Sequence, residues 1–185
     1  MEPPAILLLW GGQDVNPALY ARPNIASYCI DVISDRDKTE AGLIEQAIRK
    51  NIPIIGVCRG SQLSCVAAGG TLIQHVDGHT AHHTIVDKDG VTHLVTSTHH
   101  QLMYPWDVPH EVLAWAHPSL SKEYIGVTQE EMLKVPLHGE LYMEPEVVWF
   151  PQIRALAVQP HPEDMETTSS FHSWLRKRVH DYILS

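Results

Sequence analysis

Apolar residues along this chain fall mainly in short unbroken runs, not in strict alternation. Ala5 to Trp10 is one such run, ended by Gly11-Gly12, and Pro53 to Val57 is another. Runs of this length between turn residues predict strands buried on both faces. Between them the period changes: Leu43, Ile44, Ala47 and Ile48 recur at helical spacing behind Asp37-Lys38-Thr39-Glu40. That pattern predicts a helix over about 38–50 with Asp37 as N-cap and Glu40 closing a capping box. Gln13 to Pro23 reads as a loop, and Ser61 to Ala68 as a second helix stopped by Gly69-Gly70. Val91–Thr96 and Val112–Ala116 are further strands, the first preceded by an Asp89-Gly90 turn. Val147–Phe150 and Ala155–Val158 form a second hairpin around Pro151 to Arg154. Phe171, Trp174, Leu175, Arg178, Val179, Tyr182 and Ile183 mark one face of a closing helix. Strands alternating with helices predict an α/β layered fold with a largely parallel central sheet, the hairpins adding an antiparallel edge or extension. No repeat or linker interrupts residues 1–185, which read as one domain.

Composition narrows the function classes. A chain of 185 residues that is 44% hydrophobic and 19% charged has enough core to fold without a disulfide or a metal. A formal charge of −9 argues against a polyanion-binding face, so no nucleic-acid partner is expected. No apolar run approaches the ~18 residues of a membrane helix, and Met1-Glu2-Pro3-Pro4 lacks the basic start of a signal peptide. Three cysteines cannot all pair within one chain. A cytoplasmic, reducing location with no membrane partner is the resulting expectation.

The most informative stretch is Gly56-Val57-Cys58-Arg59-Gly60. A strand leads in, a helix leads out, and a glycine stands two residues to either side of the cysteine. This is the pattern of a nucleophile elbow, in which a tight turn lifts one side chain above a sheet edge. The helix start behind it favours a thiolate. A buried core cysteine beside a glycine-rich strand-to-helix turn is the alternative reading. Cys65 falls on the apolar face of the next helix and Cys29 carries no pattern; both read as structural. Far along the chain, Gln159-Pro160-His161-Pro162-Glu163 follows a strand directly. A cysteine nucleophile needs a base, and that base needs a carboxylate to orient it; His161 and Glu163 can supply both.

Thirteen histidines are many for this length. His75, His79, His82 and His83 could form a metal site, a polar rim or a solvated loop. Asp77-Gly78 breaks the helical spacing a histidine pair would need, and no glutamate-containing zinc motif is present, so no metal site is expected. His110, His117, His138, His172 and His180 are scattered. Asp35, Arg36 and Asp37 suit either recognition of a substrate's charged groups or a charged helix entry. Arg176, Lys177 and Arg178 complement the dipole of the last helix.

Taken together, Gly56 to Gln62 and Gln159 to Glu163 resemble the class I glutamine amidotransferase-like superfamily. Gly11-Gly12-Gln13-Asp14-Val15-Asn16-Pro17, Asp35-Arg36-Asp37 with Glu40, Gly69 to Gln74, and Ser97-Thr98-His99-His100-Gln101 are similar to its γ-glutamyl hydrolase and γ-glutamyl-γ-aminobutyrate hydrolase branch. The matches run in family order over about four fifths of the chain. Pro160 departs from the aromatic residue usual before the family's histidine, and the chain is shorter than typical members between Gln101 and Pro145. The resemblance implies a flavodoxin-like three-layer sandwich, with a mostly parallel central sheet and additional antiparallel strands. It also implies a triad of Cys58, His161 and Glu163, and an oxyanion hole from the backbone amides of Gly12 and Arg59. Gln62, His99 and His100 would contact substrate. The implied reaction cleaves the γ-amide of glutamine or a γ-glutamyl amide through a thioester on Cys58, with no cofactor. The alternatives are a glutaminase component feeding ammonia to a separate synthetase and a non-catalytic member of the fold.

Overall fold

The computed structural model describes residues 5–29, 32–138 and 141–185. Its frame is a seven-stranded sheet built from β1 (Leu7–Leu9), β2 (Ile54–Val57), β3 (His83–Asp87), β4 (Thr92–Val95), β5 (Glu111–Ala116), β6 (Pro145–Phe150) and β7 (Ala155–Val158), in the order β1-β2-β7-β6-β5-β3-β4. β2 lies between β1 and β7 and is parallel to both, with Ile54 opposite Leu7 and Ala155. From β7 outward every pairing is antiparallel. The expected parallel core with added antiparallel strands is thus present. The β6–β7 hairpin, however, is no edge or extension: it joins the two halves of the sheet.

Helices α1 (Asp35–Arg49) and α2 (Arg59–Ala67) cover one face, where Ile44, Ala47, Leu63 and Cys65 pack with Leu9, Ile54, Phe150 and Ala157. Helix α3 (Ser170–Val179) covers the other, where Phe171 and Trp174 meet Ile85, Leu113, Val147, Leu156 and Val158. This is a flavodoxin-like three-layer sandwich. Three short antiparallel pairs stand beside it: Thr71–Ile73 with Leu102–Tyr104, His75–Val76 with Tyr124–Ile125, and Leu137–His138 with Leu141–Tyr142. The first two enclose a third apolar cluster of Ile73, Val76, Leu102, Tyr104 and Val135. They also anchor the segment Ser97 to Gln101, through Val76 N–H donating to the His100 carbonyl at 2.7 Å.

Four local readings need correction. The N-cap of α1 is Ser34, not Asp37: Ser34 Oγ accepts from Asp37 N–H, and Asp37 is the third helical residue whose carboxylate reaches back to Ser34 N–H. β1 is an edge strand, so only alternate residues are covered; Leu8 is 43% and Trp10 49% exposed. The Gln13–Pro23 segment contains a 3-10 turn, Pro17–Tyr20, capped by Asn16. The final helix ends at Val179 and continues as a π turn through Leu184. No helix among the described residues is long and apolar enough to cross a membrane.

Candidate active site

Cys58 stands where β2 gives way to α2. Its N–H makes the last ladder bond, to the Val158 carbonyl at 2.8 Å, and its backbone then turns to φ 50, a left-handed value that side chains rarely adopt. The two flanking glycines permit this turn. A Cβ on Gly56 would lie 2.3 Å from the Gly60 carbonyl oxygen, and one on Gly60 would lie 2.4 Å from that of Leu9. Arg59 and Gly60 open α2, so their N–H groups have no carbonyl one turn back within the helix.

His161 leaves the end of β7, adjacent to β2, and therefore reaches the same edge of the sheet. Its backbone is pinned by N–H donation to the Thr96 carbonyl at 3.2 Å and by Thr96 Oγ1 donating to its own carbonyl at 2.7 Å. Pro162 starts a 3-10 turn that brings Glu163 back, with Nδ1 of His161 2.9 Å from Glu163 Oε1. Nε2 lies 3.0 Å from Thr98 Oγ1. The imidazole is raised to about 9: a hydrogen bond with Cys58 contributes most, burial pulls the other way, and Glu163 adds to the rise. Gly11 closes the group, since a Cβ there would lie 2.8 Å from His161 Cε1 and 3.4 Å from Cys58 Cβ.

The other expected site residues line one pocket of about 230 Å³ with Cys58 and His161: Gly12, Gln62, His99 and His100. Gln62 is buried and donates its amide to the Gln101 carbonyl at 3.1 Å. His100 stacks on Tyr28 at 4.0 Å and meets Asp14 through Nε2 at 2.8 Å. Burial works against ionisation of Asp14, but His100, the Tyr28 N–H and Ser27 outweigh it and hold the carboxyl below its usual range. A second pocket of about 510 Å³ adjoins the first, sharing Asp14 and His100 and adding Cys29, Arg36 and Asp37. Cys29 is thus half-buried on a pocket wall, its Sγ accepting from Ser27 Oγ at 3.2 Å, and is no core residue. Sequence reasoning passed over Thr98 and Asp14 as individual residues, although both stand inside the quoted motifs.

Behind the pocket lies a buried polar cluster that the rim or solvated-loop readings of His79 and His83 missed. His79 is enclosed between Glu144 (Nε2 to Oε2, 3.1 Å) and Glu146 (Nδ1 to Oε1, 3.0 Å). His83 approaches the same Glu146 oxygen at 3.1 Å and His99 at 3.5 Å. Burial opposes charge on His79, but hydrogen bonds with the two glutamates outweigh it and raise the imidazole to about 9. Burial lowers His99, against the pull of Glu146. Among the described residues, His79, His99 and Glu146 are the group that could hold a metal ion, their ligand atoms lying within 4.8 Å of one another. Despite these close approaches, His79 Nδ1, His99 Nε2 and Glu146 Oε2 are buried without a hydrogen-bond partner.

Below the other wall, four charged side chains form a ladder. Arg59, fully buried, pairs with both Asp37 and Glu40, and Glu40 also accepts from Arg36 Nε at 2.8 Å. Arg36 Nη2 donates to the carbonyls of Trp10 (3.2 Å) and Gly11 (3.0 Å). Asp35 is exposed, its carboxylate 3.4 Å from Lys38 Nζ.

The family model described as Peptidase C26 matches residues 5–163. The chain is 33% identical over 163 residues to a candidate glutamine amidotransferase-like protein, YvdE, of Lactococcus lactis subsp. lactis, covering 76% of this chain and 67% of that one. Over 101 residues it is 30% identical to the carbamoyl phosphate synthase small chain of Xanthomonas campestris pv. campestris, covering 54% and 22%. Relatives matched at 46–47% identity are spanned over only 28–30% of their length. In fold, the chain is similar to a candidate GMP synthase component from Thermoplasma acidophilum, with a TM-score of 0.57 at 13% identity, over 97% of this chain and 72% of that one.

Proposed function

Because the chain belongs to the Peptidase C26 family, within the class I glutamine amidotransferase-like superfamily, we propose that it is a cysteine-dependent amidohydrolase acting on glutamine or a γ-glutamyl amide. The observation that carries this reading is the meeting of three groups at one sheet edge. Cys58 stands in a left-handed turn, His161 faces the same pocket, and Glu163 holds His161 Nδ1 at 2.9 Å.

In this reading the Cys58 sulfur attacks the γ-carbonyl carbon as His161 takes the thiol proton. Glu163 fixes the tautomer by accepting from Nδ1, which leaves Nε2 for the exchange. The carbonyl oxygen becomes an oxyanion between the N–H groups of Gly12 and Arg59; one such donor typically contributes about 3–4 kcal/mol to the transition state. Collapse breaks the C–N bond, and the imidazolium returns its proton to the leaving ammonia or amine. Water, deprotonated by His161, then attacks the thioester, releases the γ-carboxylate and restores the thiol. Gln62, His99 and His100 would hold the glutamyl head. The γ-glutamyl hydrolase branch is the reading favoured by the motifs from Gly11 to Pro17 and Ser97 to Gln101.

A second reading rests on the likeness to a carbamoyl phosphate synthase small chain: a glutaminase that hands ammonia to a synthetase on another chain. Both predict that Cys58→Ala and His161→Ala abolish release of ammonia or amine, and full activity in either variant would overturn them. Assay of free glutamine against γ-glutamyl amines, with and without a candidate synthetase, separates the two. Turnover only in the partner's presence selects the second.

A further inference from the structure

An oxyanion hole made of two backbone amides works only if both point at the same spot before substrate arrives, and each can be turned away by a peptide flip. A trans peptide fixes the N–H of one residue antiparallel to the carbonyl of the residue before it. The Gly12 N–H is therefore aimed by whatever holds the Gly11 carbonyl. That group is Arg36, whose Nη2 takes both the Gly11 and the Trp10 oxygens. With its carbonyl held toward Arg36, the Gly11–Gly12 peptide turns its N–H to the opposite side, and Gly11 itself lies against His161 and Cys58. The guanidinium packs directly against Gly12, where a Cβ would lie 2.1 Å from Nη1.

The guanidinium of Arg36 is in turn oriented by Glu40, one helical turn on. Glu40 also grips the buried Arg59, whose own N–H is the second donor. One carboxylate on α1 thus ties together the two segments that supply the hole, from β1 and from α2. Burying a guanidinium beside two carboxylates is costly and contributes little net stability. An ordinary helix start needs no such arrangement, so a role beyond folding accounts for it better.

We propose that Arg36 and Glu40 are positioning residues that keep the oxyanion site assembled, Arg36 by holding the Gly11 carbonyl away from the pocket and Glu40 by locking Arg36 to Arg59. The proposal rests on the Cys58 reading and adds to it how the hole is kept open.

Two reactions of the same sulfur separate this role from a general one. Alkylation by iodoacetamide forms an S–C bond at a saturated carbon, expels iodide and passes through no oxyanion. Attack on γ-glutamyl-p-nitroanilide or glutamine does pass through one. Arg36→Ala is expected to lower kcat about 100-fold, the scale of one lost donor, with KM little changed and the Cys58 alkylation rate within about twofold of wild type. Added guanidinium should restore part of the loss. Arg36→Lys, which keeps a cation on α1 and secures the test if the alanine variant folds poorly, should fall between, as should Glu40→Gln. Unchanged kcat in Arg36→Ala and Arg36→Lys would overturn the proposal. So would a loss of alkylation as large as the loss of turnover, which would mean a damaged nucleophile. If the wild type shows no turnover that depends on Cys58, the amidohydrolase reading itself fails and takes this proposal with it.

Discussion

A non-glycine residue at φ 50 carries about 1–3 kcal/mol of backbone strain, and Cys58 is kept there by glycines that nothing larger can replace. Gly60→Ala would drive a methyl group to 2.4 Å from the Leu9 carbonyl oxygen, backbone against backbone. We expect a loss of at least about 1–3 kcal/mol, the usual cost of overpacking, read as a lower urea midpoint at unchanged slope. Cys58 alkylation should slow with it as the elbow opens. His161 gives a pH test. Its imidazolium, favoured up to about 9 by Cys58 and Glu163, is the form that protonates the leaving group, so acylation should fall as pH rises through about 9. Glu163→Gln removes one of the two raising partners and should move that alkaline limb below 9 in a pH–rate profile; an unmoved limb would show that Glu163 does not set it. These three residues were legible in the sequence because their signal is local: glycine spacing around one cysteine, prolines around one histidine. Thr98 was not, because a hydroxyl acquires meaning only when the fold brings an imidazole to 3.0 Å.

At the scale of elements, the buried histidines explain where sequence reading stopped. β3 begins at His83, and the polar residues from His75 to His83 hid both that strand and the pairing of His79 and His83 with glutamates more than 60 residues away. Helix starts and glycine stops were readable because a cap is a matter of three or four residues. Even so, Ser34 took the place expected of Asp37, whose carboxylate serves both the cap and Arg59. The histidine cluster has its own pH signature. The folded-state pKa of His79, about 9, is above the ordinary 6.5, so its pairing with Glu144 and Glu146 stabilises fully below 6.5 and is lost as pH rises through about 9. The denaturation midpoint should therefore decline between pH 7 and pH 10, and His79→Ala should make that decline shallower, leaving the part that His161, also raised to about 9, contributes. The variant takes from Glu144 its buried histidine partner and leaves Glu146 only His83 and His99, so a cost of about 3–5 kcal/mol at pH 7 is expected.

Across the whole molecule, one sheet serves two cores. Along β6, Val147 joins the face covered by α3 while Val148 joins the face covered by α1 and α2; along β7, Ala157 and Val158 divide the same way. Neighbouring residues of one strand therefore belong to different layers, and neither layer can come apart without exposing the back of the other. The layered α/β class was legible from alternating apolar runs and helical periods, but the central place of the β6–β7 hairpin was not, since strand order depends on contacts far apart in the chain. From this shared sheet we expect one cooperative transition, with tryptophan fluorescence and far-UV circular dichroism giving coincident urea curves. Phe171→Ala sharpens the expectation. Phe171 is fully buried on the α3 face, away from α2 and the elbow, so its truncation should cost about 3–5 kcal/mol. The two probes should still coincide at the lower midpoint, because the loss is transmitted through β7 to both layers. The folded fraction should keep wild-type Cys58 reactivity, since the turn after β2 is gripped from the opposite face by Gly60 against Leu9 and by Arg59 against α1. Two separated transitions in that variant would instead mean that the layers on either side of the sheet fold as independent units.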